Sequence, residues 1–373
     1  MDDGRDVSVL DDGTLTKSGV EVPDKKMAPH SVCSEPCPSG FRKAVRAGEP
    51  ACCFDCVLCS IGEITNQSGA SDCMKCPEHL WSDDKRQKCI PKVIEFLSTA
   101  DFLGSLLTGL SMAFSLITLS VLCVFIKSRD TPIVRANNRE LSYLLLIALA
   151  MCFMCALLFI GRPVKITCLM RQVAFGLLFC ICVSSVLAKT LIVVVAFNAT
   201  KPSSRLKKWV GSRWLPINIV LWGSLGQVSI CIFWLCTDIP FPQNNLKTET
   251  GKIIIECNEG SASMFYCMLG YMGLLAVICF IVAFLARNLP DRFNETKFIT
   301  FSMLVFISVW LSFIPAYLST KGKGMVAVEI FAILASGAGL LACICIPKCY
   351  IILLRPDMNT RQKVSGKRGA FFK

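Results

Sequence analysis

Charged side chains are scarce in this sequence. Asp, Glu, Lys and Arg make up only 18% of the 373 residues, whereas an ordinary soluble domain carries roughly a quarter. The sequence is instead 53% hydrophobic, with a mean hydropathy of +0.56, and this composition argues against disorder. Because the apolar residues are gathered into blocks of about twenty, the length that crosses ~30 Å of hydrocarbon, we expect a membrane protein rather than a soluble enzyme.

Several other features are missing. The formal net charge is +12, but the basic residues lie in short connections rather than along one face, so nucleic acid is not an expected partner. Neither His30 nor His79 lies in an apolar block, and no metal or nucleophile constellation is visible there, so we predict no enzyme activity, no metal and no cofactor. A channel or transporter is an alternative, but this sequence lacks the internal repeats and multiple buried charges typical of those proteins.

Cysteines are concentrated near the amino terminus. Nine of the 23 fall between residues 33 and 89, where no apolar block occurs. A segment this short cannot build a sufficient apolar core, so we expect disulfides of the kind formed outside the cell. Zinc is the alternative, because Cys53-x2-Cys56 and Cys73-x2-Cys76 have ligand spacing. Since nine is odd, at least one thiol lacks a partner within the segment.

The first thirty residues contain no apolar run that would serve as a cleavable signal peptide. Together with an unpaired extracellular cysteine, this predicts that an upstream part of the protein is missing from this chain. A first helix that acts as its own insertion signal is the alternative explanation.

Seven apolar blocks follow the cysteines. Such runs must be helices, because lipid offers no partners to backbone amides, and barrel strands would alternate polar and apolar residues. The predicted fold class is therefore an all-α membrane protein, a seven-transmembrane helix bundle preceded by a small disulfide-rich module of strands and loops. The predicted spans lie near residues 102–126, 141–160, 168–197, 215–236, 264–286, 298–318 and 325–354.

Lys and Arg predict the orientation of the bundle. Connections one, three and five and the carboxyl-terminal tail carry most of them, with Lys348 counted in the tail, so that side is expected to be cytoplasmic. The tail is expected either to contact anionic lipid or simply to aid solubility. Of the three glycosylation sequons, only Asn66 then lies outside, whereas Asn198 and Asn294 lie inside.

Two cysteines beyond the amino-terminal cluster belong to the predicted outer face. Cys168 opens the third block and Cys257 lies in the longest outer connection. They are therefore placed for a disulfide that ties this connection across the mouth of the bundle.

Ionisable residues within the blocks are candidate functional groups, because a charge in hydrocarbon is costly. Lys189 lies toward the cytoplasmic end of the third block, and Glu295 at the inner start of the sixth is its nearest plausible counter-ion. An ion pair between them would hold the bundle closed until something separates them. The alternative is that Lys189 snorkels to the headgroups, and Glu329 near the outer end of the seventh block is likewise expected to reach water.

Aromatic residues cluster in the sixth block around a proline. A proline one turn from a tryptophan would bend the helix and give it a pivot, whereas simple core packing is the alternative. The candidate switch residues are Trp310, Phe313, Pro315 and Tyr317.

Several motifs, taken together and in order, resemble class C G-protein-coupled receptors over residues 31 to about 360. Residues 294–304 look most similar to the vomeronasal type-2 and fish olfactory branch, with the calcium-sensing receptor a near relative. The motifs are residues 31–37 (SVCSEPC), 52–56 (CCFDC), 76–82 (CPEHLWS), 131–143 (TPIVRANNRELSY), 188–190 (AKT), 289–295 (LPDRFNE) and 347–354 (PKCYIILL).

The resemblance implies which cysteines are joined and which charges pair. Cys52 would be the thiol that normally bridges to an extracellular Venus-flytrap domain, which this chain lacks, and Lys189 with Glu295 would form an inner ionic lock. The implied disulfides are Cys33–Cys53, Cys37–Cys56, Cys59–Cys73, Cys76–Cys89 and Cys168–Cys257.

The resemblance also implies a function. Ligand closure of the flytrap would be transmitted through the cysteine-rich module and would repack the helices, exposing an inner surface to a heterotrimeric G protein. The ligand would be amino-acid-like, calcium or a peptide, and the receptor a dimer. A nonsignalling fragment is an alternative. The implied G-protein contacts are Arg205, Lys207, Lys208, Leu289, Pro290 and Phe293.

The expected domain division follows from these motifs. It comprises an unmatched leader expected to be disordered, an extracellular cysteine-rich module, a seven-transmembrane domain in the plasma membrane and a cytoplasmic tail. Their expected bounds are residues 1–30, 31–92, 93–354 and 355–373.

Overall fold

The computed structural model describes residues 33–131, 133–134, 138–198, 214–246, 248–287 and 295–355. The chain divides into two compact units. The first unit consists of the chain up to Cys76 together with Ser82–Cys89. The second consists of Pro77–Trp81 and everything from Ile90 onward.

The first unit is a module of short strands held together by sulfur. Strands β1 (Phe41–Val45) and β2 (Phe54–Leu58) pair antiparallel, as do β3 (Glu63–Ile64) and β4 (Met74–Lys75). Its buried apolar residues are cysteines, with Cys37 fully buried and Cys59 2% exposed. The disulfides therefore occupy the place that a core of large apolar side chains has in a bigger domain.

Seven helical spans make up most of the second unit, so the predicted fold class is confirmed. The helices are α1 Phe102–Lys127, α2 Arg139–Cys155, α3 Lys165–Asn198, α4 Trp214–Thr237, α5 Ala262–Ala286, α6 Glu295–Ser319, α7 Lys323–Leu340 and α8 Ile346–Leu354. The second span ends in a 3₁₀ turn (Ala156–Phe159), and the seventh continues from α7 through a π-helical turn (Leu341–Cys345) into α8.

The side chains of the spans divide between two environments, the outer surface of the bundle and its packed interior. Side chains such as Leu116, Leu285 and Phe331 are 60%, 74% and 67% exposed, and that much apolar surface on every helix requires lipid around it. The interior is closely packed around α3, which contacts α2, α4 and α5. Several buried hydroxyls bond within their own helices, as Ser111 does to the carbonyl of Leu107 at 2.8 Å and Ser336 to that of Ala332 at 2.6 Å, so these hydroxyls need no partner in the lipid.

A three-stranded sheet lies at one end of the bundle, called the sheet end below. It contains β7 (Val93–Glu95), which precedes α1, and the hairpin β8 (Phe241–Asn245) and β9 (Lys252–Asn258) between α4 and α5. Strand β9 pairs parallel with β7 and antiparallel with β8. Two further short strands, β5 (Leu80–Ser82) and β6 (Cys89–Pro91), precede β7.

Candidate functional site

Two lysines share one carboxylate at the end of the bundle opposite the sheet. The Nζ of Lys189 on α3 donates to the Ser142 hydroxyl of α2 at 2.7 Å and lies 3.8 Å from a Glu295 carboxylate oxygen of α6. Lys348 of α8 contacts the same oxygen at 2.5 Å. These four residues, the lysine cluster, join four helical segments through one buried charge network.

Lys189 does not snorkel. Its side chain is 4% exposed and its ammonium group is held by Ser142 and Glu295, so the alternative considered from the sequence is excluded. The sequence groups Lys348 with the tail lysines, but only 7% of it is exposed. Lys348 lies close to the charged carboxyl terminus, and hydropathy alone cannot separate a buried lysine there from an exposed one.

A second buried network lies toward the sheet end. Glu259, in the connection between β9 and α5, lies 3.7 Å from the guanidinium of Arg171 on α3 and accepts hydrogen bonds from the Tyr317 hydroxyl at 3.0 and 3.1 Å. Gln172 lies 3.4 Å from both Glu259 and Glu329 of α7. Arg171, Gln172, Glu259, Tyr317 and Glu329 form the carboxylate cluster.

The expectation that Glu329 reaches water is wrong. Its side chain is 4% exposed because α7 directs it into the bundle toward Gln172. Arg171, which was not among the residues predicted from the sequence, lies seven residues into a long helix and is 3% exposed. Burial raises the pKa of the Glu259 carboxyl, and Arg171 and Tyr317 oppose that rise.

The predicted aromatic switch residues form a column that ends in the carboxylate cluster. Ring centroids of Trp310 and Phe313 are 5.2 Å apart, as are those of Phe313 and Tyr317. Trp310 also packs on Phe175 of α3 at 5.2 Å. Pro315 lies inside α6, which remains a continuous helix from Glu295 to Ser319. The column thus links α6 to α3 by packing at the level between the two charge clusters.

A third group of charges holds the segment before α1 against the bundle. Glu95 of β7 lies 2.9 Å from the Nζ of Lys252 on β9 and 2.8 Å from that of Lys323, the first residue of α7. Both lysines keep the pKa of the Glu95 carboxyl below its usual value, Lys323 contributing first. Lys323 also approaches Asp101 at 3.9 Å. Glu95 therefore connects the entering strand to two separate parts of the bundle.

The cysteines are joined in the pairs that the class C resemblance implies. Cys53, Cys56, Cys73 and Cys76, which have zinc-like spacing, are all in disulfides, and Cys52 is exposed with a free thiol. The five bonds are Cys33–Cys53, Cys37–Cys56, Cys59–Cys73, Cys76–Cys89 and Cys168–Cys257.

Other predicted sites fall in different places. Asn66 is exposed on the cysteine-rich module. The predicted G-protein contacts Arg205, Lys207, Lys208, Leu289, Pro290 and Phe293 all lie outside the described residues, as does the tail beyond Arg355. Within the described ranges, no group of three or more His, Cys, Asp or Glu side chains is arranged to hold a metal ion.

Seven spans with a disulfide-bonded module before them define a multi-pass membrane protein, and comparison with known families identifies which kind. The family model described as "7 transmembrane sweet-taste receptor of 3 GCPR" matches residues 97–348. The "Nine Cysteines Domain of family 3 GPCR" matches residues 28–82. The chain belongs to class C, or family 3, of the G-protein-coupled receptors.

Curated relatives agree with this assignment. The chain is 55% identical over 339 residues to vomeronasal type-2 receptor 26 of Mus musculus, a match that covers 91% of this chain and 40% of that receptor. It is 47% identical over 361 residues to the mouse extracellular calcium-sensing receptor, covering 97% and 33%. Human G-protein coupled receptor family C group 6 member A is 36% identical, with 89% and 35% covered. The chain thus spans 40% or less of each of these relatives.

Proposed function

We propose that this chain is the membrane and cysteine-rich part of a chemosensory class C receptor that signals through a heterotrimeric G protein. The observation that carries the proposal is the lysine cluster, in which Lys189, Glu295 and Lys348 join α3, α6 and α8 at one end of a bundle of this family. A buried charge network that bridges several helices is suited to hold one of two packings.

We propose an orientation in which the lysine cluster lies on the cytoplasmic side. The connections at that end carry most of the Lys and Arg of the loops. At the other end, strand β7 follows the disulfide-bonded module directly in the chain, and such a module requires an oxidising exterior. In this orientation Asn66 is outside and glycosylated, and the plasma membrane is the site of action. The loops with Arg205, Lys207, Lys208, Leu289, Pro290 and Phe293 would then contact the G protein.

The domain division proposed for signalling is a cysteine-rich module at 31–92, a helix bundle at 93–354 and a basic cytoplasmic tail at 355–373, with 1–30 as a leader. An amino-acid-like, calcium or peptide agonist would act through a flytrap domain to which Cys52 is the covalent link. The exposed free thiol of Cys52 supports this link. The receptor would work as a dimer.

In this proposal, movement on the outer side is transmitted to the lysine cluster along α3 and α7. Glu95 connects the entering strand to β9 and to the start of α7, and Cys257 of β9 is bonded to Cys168 of α3. Displacement of β7 would therefore pull on both helices. Trp310, Phe313 and Tyr317 would carry α6 along because their rings pack in a column that reaches α3 through Phe175.

The test is Glu295→Lys in cells that express this chain. Replacing the shared carboxylate by a third cation breaks both ion pairs, so basal G-protein activation is expected to rise several-fold over the unsubstituted chain at equal surface expression. Glu140→Lys is the matched control, since Glu140 is an exposed carboxylate at the start of α2 and its reversal should leave basal activity unchanged.

Equal basal activity of Glu295→Lys and the unsubstituted chain would contradict the lock. Absence of activation by every variant at good surface expression would favour the alternative, a nonsignalling fragment of a receptor. The two outcomes are separated by adding a constitutively active member of the same family as a positive control for the G-protein assay.

A further inference from the structure

The seventh span contains one turn that is wider than an α-helix. The backbone N–H of Ile346 donates to the carbonyl oxygen of Leu341, five residues earlier, and Leu341–Cys345 form a π-helical turn. Cys345, at the end of this turn, has a φ of −102°, well away from the α-helical value of about −63°. The chain on both sides is regular α-helix, so the turn is a single insertion within a continuous span.

Pro347 supplies the physical cause of this turn. Proline has no N–H, and in a regular α-helix its ring would collide with the carbonyl oxygen four residues earlier, which is that of Cys343. A wider turn at Leu341–Cys345 takes up one extra residue and moves this carbonyl off the ring, so the helix continues into α8. The position of the turn, directly before Pro347, fits this explanation.

The extra residue determines which way α8 faces. An α-helix rotates about 100° per residue, so without the wide turn Lys348 would point about 100° away and residue 347 would take its place. In the observed phase Lys348 is 7% exposed and contacts Glu295, whereas Ile346 and Tyr350 are 48% and 49% exposed.

We propose that Pro347 and the wide turn Leu341–Cys345 are positioning elements that set the rotation of α8 and thereby supply Glu295 with its second lysine. Glu295 would otherwise rely on Lys189, which lies 3.8 Å away. Relaxation of the turn to an α-helix would withdraw one of the two cations without moving α6. This inference concerns how the lysine cluster is assembled and does not require the proposed signalling role.

The experiment measures the coupling between Glu295 and Lys348 in three backgrounds. The readout is the rate of thermal unfolding in detergent, measured for Glu295→Gln, Lys348→Gln and the double variant. Each of these is made in the unsubstituted chain, in Pro347→Ala, and in Pro347→Ala with Ala342 deleted. Because the two charges are in contact in the unsubstituted chain, the effect of the double variant on the unfolding rate should differ about tenfold from the product of the two single effects. We expect this coupling to fall below twofold in Pro347→Ala, because the turn can relax.

Deleting Ala342 removes the extra residue and should restore the rotation of α8. The coupling between Glu295 and Lys348 is therefore expected to return in Pro347→Ala with Ala342 deleted. This recovery distinguishes positioning from general damage, because a second alteration of a damaged helix would not repair it. Ala342 is exposed, so its side chain is not needed for packing. Pro315→Ala is the matched control, since that proline lies inside α6 and its loss should leave the coupling intact.

Coupling that survives in Pro347→Ala would overturn the proposal, as would coupling that is lost there and does not return on deletion of Ala342. If Pro347→Ala does not fold, an alanine inserted after Ala342 with Pro347 retained provides the same test. That insertion rotates α8 by about 100°, and undiminished coupling between Glu295 and Lys348 would then refute the role of the turn.

Discussion

The hydroxyl of Tyr317 donates to the carboxylate of Glu259, lying 3.0 and 3.1 Å from its two oxygens. This bond joins the end of α6 to the connection between β9 and α5. The same connection is fixed to α4 by Trp234, whose indole N–H donates to the carbonyl oxygen of Glu259 at 3.1 Å. A residue selected from the sequence as an aromatic switch candidate is therefore also a polar anchor of the connection between β9 and α5.

Tyr317→Phe is expected to destabilise the chain by about 2 kcal/mol, the size of a hydrogen bond to a charged group. The ring and its contacts with Phe313 and Phe265 remain, so the change removes the hydroxyl and little else. The measurement is the thermal unfolding midpoint in detergent. Tyr266→Phe is the control, because Tyr266 is 40% exposed. Equal midpoints for Tyr317→Phe and the unsubstituted chain would mean that the bond contributes nothing.

Arg171→Met removes the guanidinium from the carboxylate cluster and leaves Glu259 and Glu329 as neighbouring buried carboxylates. An uncompensated buried charge costs about 3 kcal/mol or more, so a clear fall in the unfolding midpoint is expected. Adding Glu259→Gln should recover part of the loss, since it removes one of the unpaired charges. No recovery would show that Arg171 acts through its packing on Phe159 instead. Arg162→Met, at an exposed arginine, is the control.

The sequence was sufficient for the spans and for one of the two lysines of the lysine cluster. A bilayer imposes one requirement on any spanning segment, a run of about twenty apolar residues, and hydropathy detects it. Lys189 is visible because it interrupts such a run. The first span starts at Phe102 as predicted, and the other six start one to three residues before their apolar blocks, as α6 does at Glu295, since polar residues in the first turn do not raise hydropathy.

Other residues of the clusters could not be assigned from sequence. Lys348 follows Pro347, and its direction depends on a wide turn that a 3.6-residue period does not contain. Arg171 lies only three residues after the start of the predicted third span and close to Lys165 and Arg162, so the sequence does not separate it from the charges of the preceding loop. Glu259 lies in the connection that follows β9, and the position of β9 depends on its pairing with β7, a strand that is distant in the chain.

Acidification is expected to loosen the attachment of β7. The pKa of Glu95 in the folded chain is lower than its ordinary value of 4.5, so the stabilisation is fully present above about pH 4.5 and is lost as the pH falls through the folded-state pKa. Glu95→Gln should cost about 1 kcal/mol at pH 7, because Lys252 and Lys323 are partly exposed. The difference between this variant and the unsubstituted chain should shrink below pH 4.5.

The check is hydrogen exchange of the amides in residues 93–97, measured at pH 7 and at a pH below the folded-state pKa of Glu95, with correction for the intrinsic rates. Exchange in Glu95→Gln should exceed that of the unsubstituted chain at pH 7 and should match it at the lower pH. Arg46→Gln, which removes an exposed ion pair with Asp55 in the cysteine-rich module, is the control and should not affect these amides. A difference that is constant with pH would contradict the role of the carboxylate charge.

Close packing of α4 on α5 depends on a glycine. A Cβ at Gly226 would lie 2.2 Å from the hydroxyl oxygen of Tyr271, and this hydroxyl donates to the carbonyl oxygen of Gly223 at 2.9 Å. Gly226→Ala must therefore displace the tyrosine, and overpacking of this kind costs about 1–3 kcal/mol. Gly270→Ala on α5 is the matched control, because a Cβ added there would meet nothing within 4 Å, and it should stabilise the helix by up to about 1 kcal/mol. Tyr271→Phe combined with Gly226→Ala should recover part of the loss by removing the atom that approaches most closely. If both alanine variants unfold at the same temperature in detergent, α4 and α5 can separate without cost and Gly226 does not limit their approach.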